Sequence, residues 1–184
     1  MREITNGLPV NPRARGIISA TFAMVVIVMG VVGAGKTTVG SLLAKQLGWT
    51  FADADDFHPR ANVEKIRKGI ALNDDDRRPW LGRLHSEITA WSAHGSNAVL
   101  ACSALKESYR RQLEVGPEVR FVYLKGTVDQ IAVRLKSRQG HFADEQILAS
   151  QLADLEEPYA ALTVDINSSP EEIVATIREG LGLA

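Results

Sequence analysis

The chain has 184 residues, 45% hydrophobic, 23% charged and 6% aromatic, a composition that supports a packed core and excludes disorder throughout. Lys and Arg total 21 against 22 Asp and Glu, a formal net charge of -1, so no general attraction to nucleic acid or anionic lipid follows and any basic site must be local. The single cysteine, Cys102, has no internal disulfide partner, and His58, His85, His94 and His141 lie too far apart for zinc-ligand spacing. The chain therefore reads as cytoplasmic and free of structural metal.

Residues 1–22, rich in Pro, Gly, Asn and Arg, read as a mobile extension ahead of a single domain over 23–184, and Met24 is an alternative start. Residues 16–35 carry no charged side chain and follow Arg13 and Arg15, the pattern of a signal peptide or membrane span. A membrane-tethered regulator anchored by 17–32 is the reading this would support. The β-branched run Met24-Val25-Val26-Ile27-Val28-Met29 ends at once in glycines, however, which suits a strand buried on both faces of a parallel sheet.

Beyond it, apolar runs alternate with helical periodicity, the βαβ pattern. Strand 25–29 leads to a helix over 36–47 with Val39, Leu42, Leu43 and Leu47 on one face, then a strand over 50–54. A polar helical insertion over 59–93 holds Val63, Ile66, Trp80, Leu81, Leu84 and Ile88 as its own apolar set. A strand over 98–102, a helix over 105–114 and a strand over 119–124 follow. Thr127-x-x-Gln130 caps a fifth helix whose buried stripe is Val128, Ile131, Ala132 and Leu135. After an interruption near Gly140 come a helix over 144–155 and a strand over 162–166. Ser169-Pro170-Glu171-Glu172 opens the last helix with a cap, a first-turn proline and two acids.

Chemistry enters with Gly30-Val31-Val32-Gly33-Ala34-Gly35-Lys36-Thr37, which is G-x-x-x-x-G-K-[ST] placed between a buried strand and an amphipathic helix. Glycines let successive N–H groups face phosphate oxygens, Lys36 bridges the β- and γ-phosphates, and the Thr37 hydroxyl can hold Mg²⁺. The nucleotide-binding set is thus Gly30, Gly33, Ala34, Gly35, Lys36, Thr37 and Thr38. Neither Asn-Lys-x-Asp nor a switch Asp-x-x-Gly is present, which disfavours a GTPase switch. An insertion after the second strand and an arginine-bearing segment after the fifth helix are the layout of a small-molecule kinase.

Asp53-Ala54-Asp55 falls at the carboxyl end of the second strand, the edge where α/β sheets bind ligands. Residues two apart on an extended chain share a side, so both carboxylates can face the transfer site. Asp53 is assigned to Mg²⁺, with Thr37, and Asp55 to the acceptor hydroxyl. No apolar strand ends in an aspartate placed as a conventional Walker B, and Asp53 is its substitute.

Several segments together resemble the gluconokinase family. They are Asp53-Ala54-Asp55-Asp56-Phe57-His58-Pro59, Leu72-Asn73-Asp74-Asp75-Asp76-Arg77-Arg78-Pro79-Trp80-Leu81, Cys102-Ser103-Ala104-Leu105-Lys106 with Tyr109-Arg110, Tyr123-Leu124-Lys125-Gly126, and Gly140-His141-Phe142. The resemblance runs from about Met24 to the end of the chain. It implies transfer of the γ-phosphoryl of ATP to the 6-hydroxyl of D-gluconate by an α/β P-loop kinase fold with a five-stranded parallel sheet in order 2-3-1-4-5, and often a homodimer. Shikimate and adenylate kinases are similar in fold, and a shikimate or nucleotide kinase is the alternative reading.

An anionic polyol needs a cation for its carboxylate and hydrogen-bonding groups for its hydroxyls. Arg77, Lys106 and Arg110 are the candidate cations, with Lys106 and Arg110 one helical turn apart, and His58 can donate to a hydroxyl. Asp74-Asp75-Asp76 reads mainly as a helix start, Trp80 as a packing anchor and Cys102 as a buried strand residue. Arg134 and Arg138 lie four apart on one helix face. The resemblance implies that Arg134 stacks on adenine and that Arg138 contacts the transferring phosphates, the latter a catalytic role. Residues 138–145 are expected to form a short lid.

Overall fold

The computed structural model describes residues 23–136 and 141–183, with the side chains of residues 141–145 outside the description. The expected N-terminal extension, Arg138 and Gly140 therefore lie outside the described residues. The elements run β1 (Val25–Met29), α1 (Lys36–Leu47), β2 (Thr50–Asp53), a 3₁₀ turn (Ala54–Phe57), α2 (Arg60–Arg67), α3 (Asp74–Ala93), β3 (Ala98–Ala101), α4 (Glu107–Leu113), β4 (Val119–Lys125), α5 (Val128–Lys136), α6 (His141–Asp154), β5 (Leu162–Asp165) and α7 (Pro170–Leu181).

The five strands form one parallel sheet in the order β2-β3-β1-β4-β5. All five residues of β1 are buried, as a central strand covered on both faces requires. Alternation divides them between two cores. Val26 and Val28 face a layer built from Val39 and Leu43 of α1 and Ile173, Val174 and Ile177 of α7. Val25, Ile27 and Met29 face Trp80, Leu81, Leu84 and Ile88 of α3 and Leu113 of α4. Among the described residues no helix is long and apolar enough to cross a membrane, and the strongest apolar run of the chain is the middle of this sheet.

The structure corrects several expectations. The apolar residues of α3 do not form a separate cluster for the insertion; they cover one face of the main sheet, while Val63 and Ile66 of α2 stay half-buried. Val128, the first residue of α5, is 53% exposed although its spacing puts it on the face that Ile131 and Leu135 bury, and Ala132 is only partly covered. Helix α6 begins at His141, three residues before the expected start, so residues 141–145 of the expected lid have helical backbone.

The helix starts follow the local sequence closely. The Ser169 side chain accepts from Glu172 N, and the Glu172 carboxylate accepts from Ser169 N, a reciprocal capping box with Pro170 in the first turn. Asn73 and Asp76 make the same box at α3, and Thr127 and Gln130 at α5.

Candidate active site

The phosphate loop connects β1 to α1. Gly30 has φ +144, and a Cβ there would stand 2.9 Å from the Leu124 carbonyl oxygen of β4, so the first loop position admits only glycine. Gly35, at φ 99, ends the loop in left-handed geometry directly before α1. The Lys36 ammonium folds back to donate to the Val31 carbonyl at 3.0 Å, an arch over the loop of the kind that holds the lysine near bound phosphate. A cavity of about 140 Å³ is lined by Gly33, Gly35, Lys36, Thr37 and Thr38 together with Asp53 and Asp55.

Both aspartates reach this cavity by a route other than the expected one. Strand β2 ends at Asp53, and Asp55 lies in the 3₁₀ turn, so the two are not alternate residues of one extended strand. The Asp53 carboxylate caps that turn by accepting from Asp55 N at 3.1 Å, and it accepts from the Thr37 hydroxyl at 2.7 Å. The turn thus brings Asp55 into the cavity beside Asp53. Burial in the cleft raises the Asp55 pKa from its ordinary value, the Asp53 carboxylate raises it further, and Lys36 opposes both.

A second cavity of about 270 Å³ adjoins the first and is lined by His58, Ile66, Leu72, Arg77, Trp80 and Ile147, among others. Val32, Asp55, Ser103 and Gln151 line both cavities. Trp80 serves more than packing here: its indole N–H donates to the Ala54 carbonyl at 2.7 Å, and its ring stacks on His58 with centroids 4.6 Å apart. Burial, then the nearby Arg77 cation, push the His58 pKa down to about 4, so the imidazole is neutral near pH 7.

The three candidate cations part ways. Arg77 lines the second cavity and is anchored by Asp154 at 2.7 Å and by the Tyr109 hydroxyl at 3.0 Å. Lys106 stands one layer behind, donating to Asp74 at 2.8 Å with Asp154 3.4 Å away, and these partners raise its pKa. Arg110 does not join them. It is 5% exposed, and its guanidinium donates to the Ala104 and Leu105 carbonyls at 3.0 and 2.8 Å and to Glu107. One helical turn separates it from Lys106, but Lys106 is the N-cap of α4 with extended backbone, so the helical-face argument does not apply. Arg110 instead braces the loop after β3, where Ala104 holds φ 43.

A third cavity of about 240 Å³ lies on the other side of the loop between Gly33, Gly35, Thr38, Arg134, Pro170 and Ile173. Arg134 donates to the Ala34 carbonyl at 3.4 Å and to the Ile166 carbonyl, which fixes it at this rim.

The acidic triplet is divided among separate partners: Asp74 takes Lys106 and Tyr109, Asp75 takes Arg78, and Asp76 takes Lys65 and the cap of α3. Cys102 is buried, its pKa pushed up to about 12, so it is an unreactive thiol. Among the described residues no group of three or more His, Cys, Asp or Glu is arranged to hold a metal.

Sequence reasoning gave no site role to Gln151, Asp154 or Tyr109, the last of which entered only as part of a family-like segment. All three act across long sequence separations, and the one local signal was the i, i+4 spacing that puts Gln151 on the same face of α6 as Ile147.

A family model described as shikimate kinase matches residues 32–181. The chain is 45% identical over 158 residues to the thermoresistant gluconokinase of Escherichia coli (strain K12), covering 83% of this chain and 90% of that protein. It is 43% identical over 174 residues to a probable gluconokinase of Xenopus tropicalis, covering 84% and 92%. Its fold superposes on the crystal structure of a gluconokinase from Sinorhizobium meliloti 1021 with a TM-score of 0.79 and 37% identity, covering 88% of this chain and 93% of that one. The shikimate kinase model describes the shared P-loop frame, and these relatives identify the branch. A phosphate loop opening onto a second, cation-lined cavity accords with both, and the chain belongs to the gluconokinase family of ATP-dependent carbohydrate kinases.

Proposed function

We propose that the protein transfers the γ-phosphoryl group of ATP to the 6-hydroxyl of D-gluconate, giving 6-phospho-D-gluconate by direct in-line displacement. The observation that carries this reading is the shared wall of the two cavities, where Asp55 faces the phosphate loop and the acceptor pocket at once.

In this reading the loop amides and Lys36 hold the triphosphate, and the adenine lies in the third cavity against Arg134. Arg138, outside the described residues, keeps the role the family resemblance implies, contact with the transferring phosphates. The terminal hydroxyl of the acceptor enters at Asp55, which accepts its hydrogen bond and proton while the phosphoryl group moves. Arg77 meets the sugar-acid carboxylate, His58 as a neutral imidazole meets a hydroxyl, and Trp80 closes the apolar side. Lys106 and Asp154 set the orientation of Arg77 from behind. Arg110 is left out of the acceptor set, since its donors are spent on main-chain carbonyls.

The hydroxyl of Thr37 and the carboxylate of Asp53, 2.7 Å apart, are hard oxygen donors of the kind Mg²⁺ takes with several retained waters and substrate phosphates. They fit that ion. When bound, it supplies charge neutralisation on the phosphates.

Coupled ADP release over an acceptor panel tests the assignment. Turnover with gluconate far above that with shikimate or nucleoside monophosphates is the expected outcome; rapid turnover of either alternative with indifference to gluconate would reassign the acceptor.

A further inference from the structure

The side chain of Gln151 holds the phosphate loop from the acceptor side. The Gln151 carboxamide oxygen accepts from the Val32 main-chain N–H at 2.6 Å, across 119 residues of sequence. A main-chain N–H only donates, so the oxygen must face it, and the carboxamide NH₂ is left for other partners. Gln151 belongs to α6, whose Ile147 and Ser150 form part of the acceptor cavity, and Val32 and Gln151 both line the two cavities. This hydrogen bond is therefore a direct mechanical link between the acceptor cavity wall and the phosphate loop.

We propose that Gln151 is a positioning residue that couples the two pockets, so that filling either one raises the affinity of the other. The proposal rests on the reading of these cavities as ATP and sugar-acid sites. Its basis is linkage: if one ligand steadies the α6-to-loop contact, the second no longer bears that ordering cost, and the effect is reciprocal. Gln151 acts through Val32 and the helix, so its removal leaves the remaining loop amides and Lys36 to bind nucleotide.

Calorimetry with magnesium, the non-hydrolysable β,γ-imido analogue of ATP and gluconate provides the test. In the wild type, saturating analogue is expected to lower the gluconate Kd at least fivefold. In Gln151→Met, close in length but without the acceptor, the analogue alone is expected to bind within threefold of wild type while the gluconate Kd with and without it agrees within twofold. Should that variant fail to bind the analogue, Gln151→Asn, polar but too short to reach Val32, makes the same comparison with the same expected loss. Fivefold coupling retained in either variant, or none in a wild type that binds both ligands, would overturn the proposal. A wild type that binds the analogue and never gluconate would remove the acceptor assignment and the coupling with it.

Discussion

Asp55 carries the sharpest conflict between stability and chemistry in the molecule. Its carboxylate stands in the cleft beside Asp53, and the burial and that neighbour raise its proton affinity, which makes the ionised carboxylate a stronger base toward an alcohol while disfavouring its charge in the fold. Asp55→Asn is expected to lower kcat by about 10²- to 10⁴-fold, the usual worth of a positioned base, with binding of an ATP analogue nearly unchanged. Because the charged form is disfavoured in the fold, the same variant should melt no lower than wild type; a scan showing a large drop would mean that Asp55 holds the structure instead. The acid limb of the wild-type kcat/KM profile should lie above the ordinary carboxylate pKa. His58 titrates with the opposite sign. Its folded pKa of about 4 lies below the ordinary 6.5, so the unfolded chain takes up the proton first and stability is lost as pH falls from 6.5 to about 4. His58→Phe, which keeps a ring against Trp80, should lose less stability over that interval in parallel denaturant titrations.

Among the elements, α3 does two jobs. Its buried face of Trp80, Leu81, Leu84 and Ile88 covers the sheet, and its first turn presents Arg77 to the acceptor cavity. The Asn73–Asp76 capping box fixes where that turn begins. Asn73→Ala is expected to cost about 1 kcal/mol of stability and, by loosening the start of the helix, to raise the KM for gluconate more than that for ATP. Steady-state kinetics with each substrate varied in turn checks the split. The 3₁₀ turn after β2 is the other element on which the site depends. The sequence suggests extended backbone through Asp53-Ala54-Asp55, which has no strong breaker, and only the side chain of Asp53 reaching the Asp55 N–H shows why the chain turns there.

At the scale of the whole molecule, the three cavities meet around the loop at the carboxyl edge of the sheet, the edge at which parallel sheets bind ligands, the first two beside the ends of β1, β2 and β3 and the third toward the segment after β5. Nucleotide that binds the folded state alone must stabilise it by mass action. At 100 times its Kd the analogue should contribute about 2.7 kcal/mol. For a domain of this size that corresponds to a rise in Tm of roughly 5–11 °C, readable by calorimetric scan with magnesium present. No shift under those conditions would remove ATP as the ligand of the loop.

The β-branched run at 25–29, the glycine-lysine-threonine loop, the capping residues and the aspartate pair were all legible along the chain, because each depends on neighbours within a few residues. Sheet order and family came from the resemblance of several short segments taken together. The fate of the cations was not legible: Arg77, Lys106 and Arg110 are equivalent as charges in a sequence. What separates them is whether carbonyls of Ala104 and Leu105, or carboxylates of Asp74 and Asp154, arrive first. Gln151 belongs with them, since a helix glutamine gains its meaning from a loop 119 residues away. Local hydrogen bonds and periodicity write themselves into the order of residues, whereas the partner of a long polar side chain is chosen by packing that brings distant segments together.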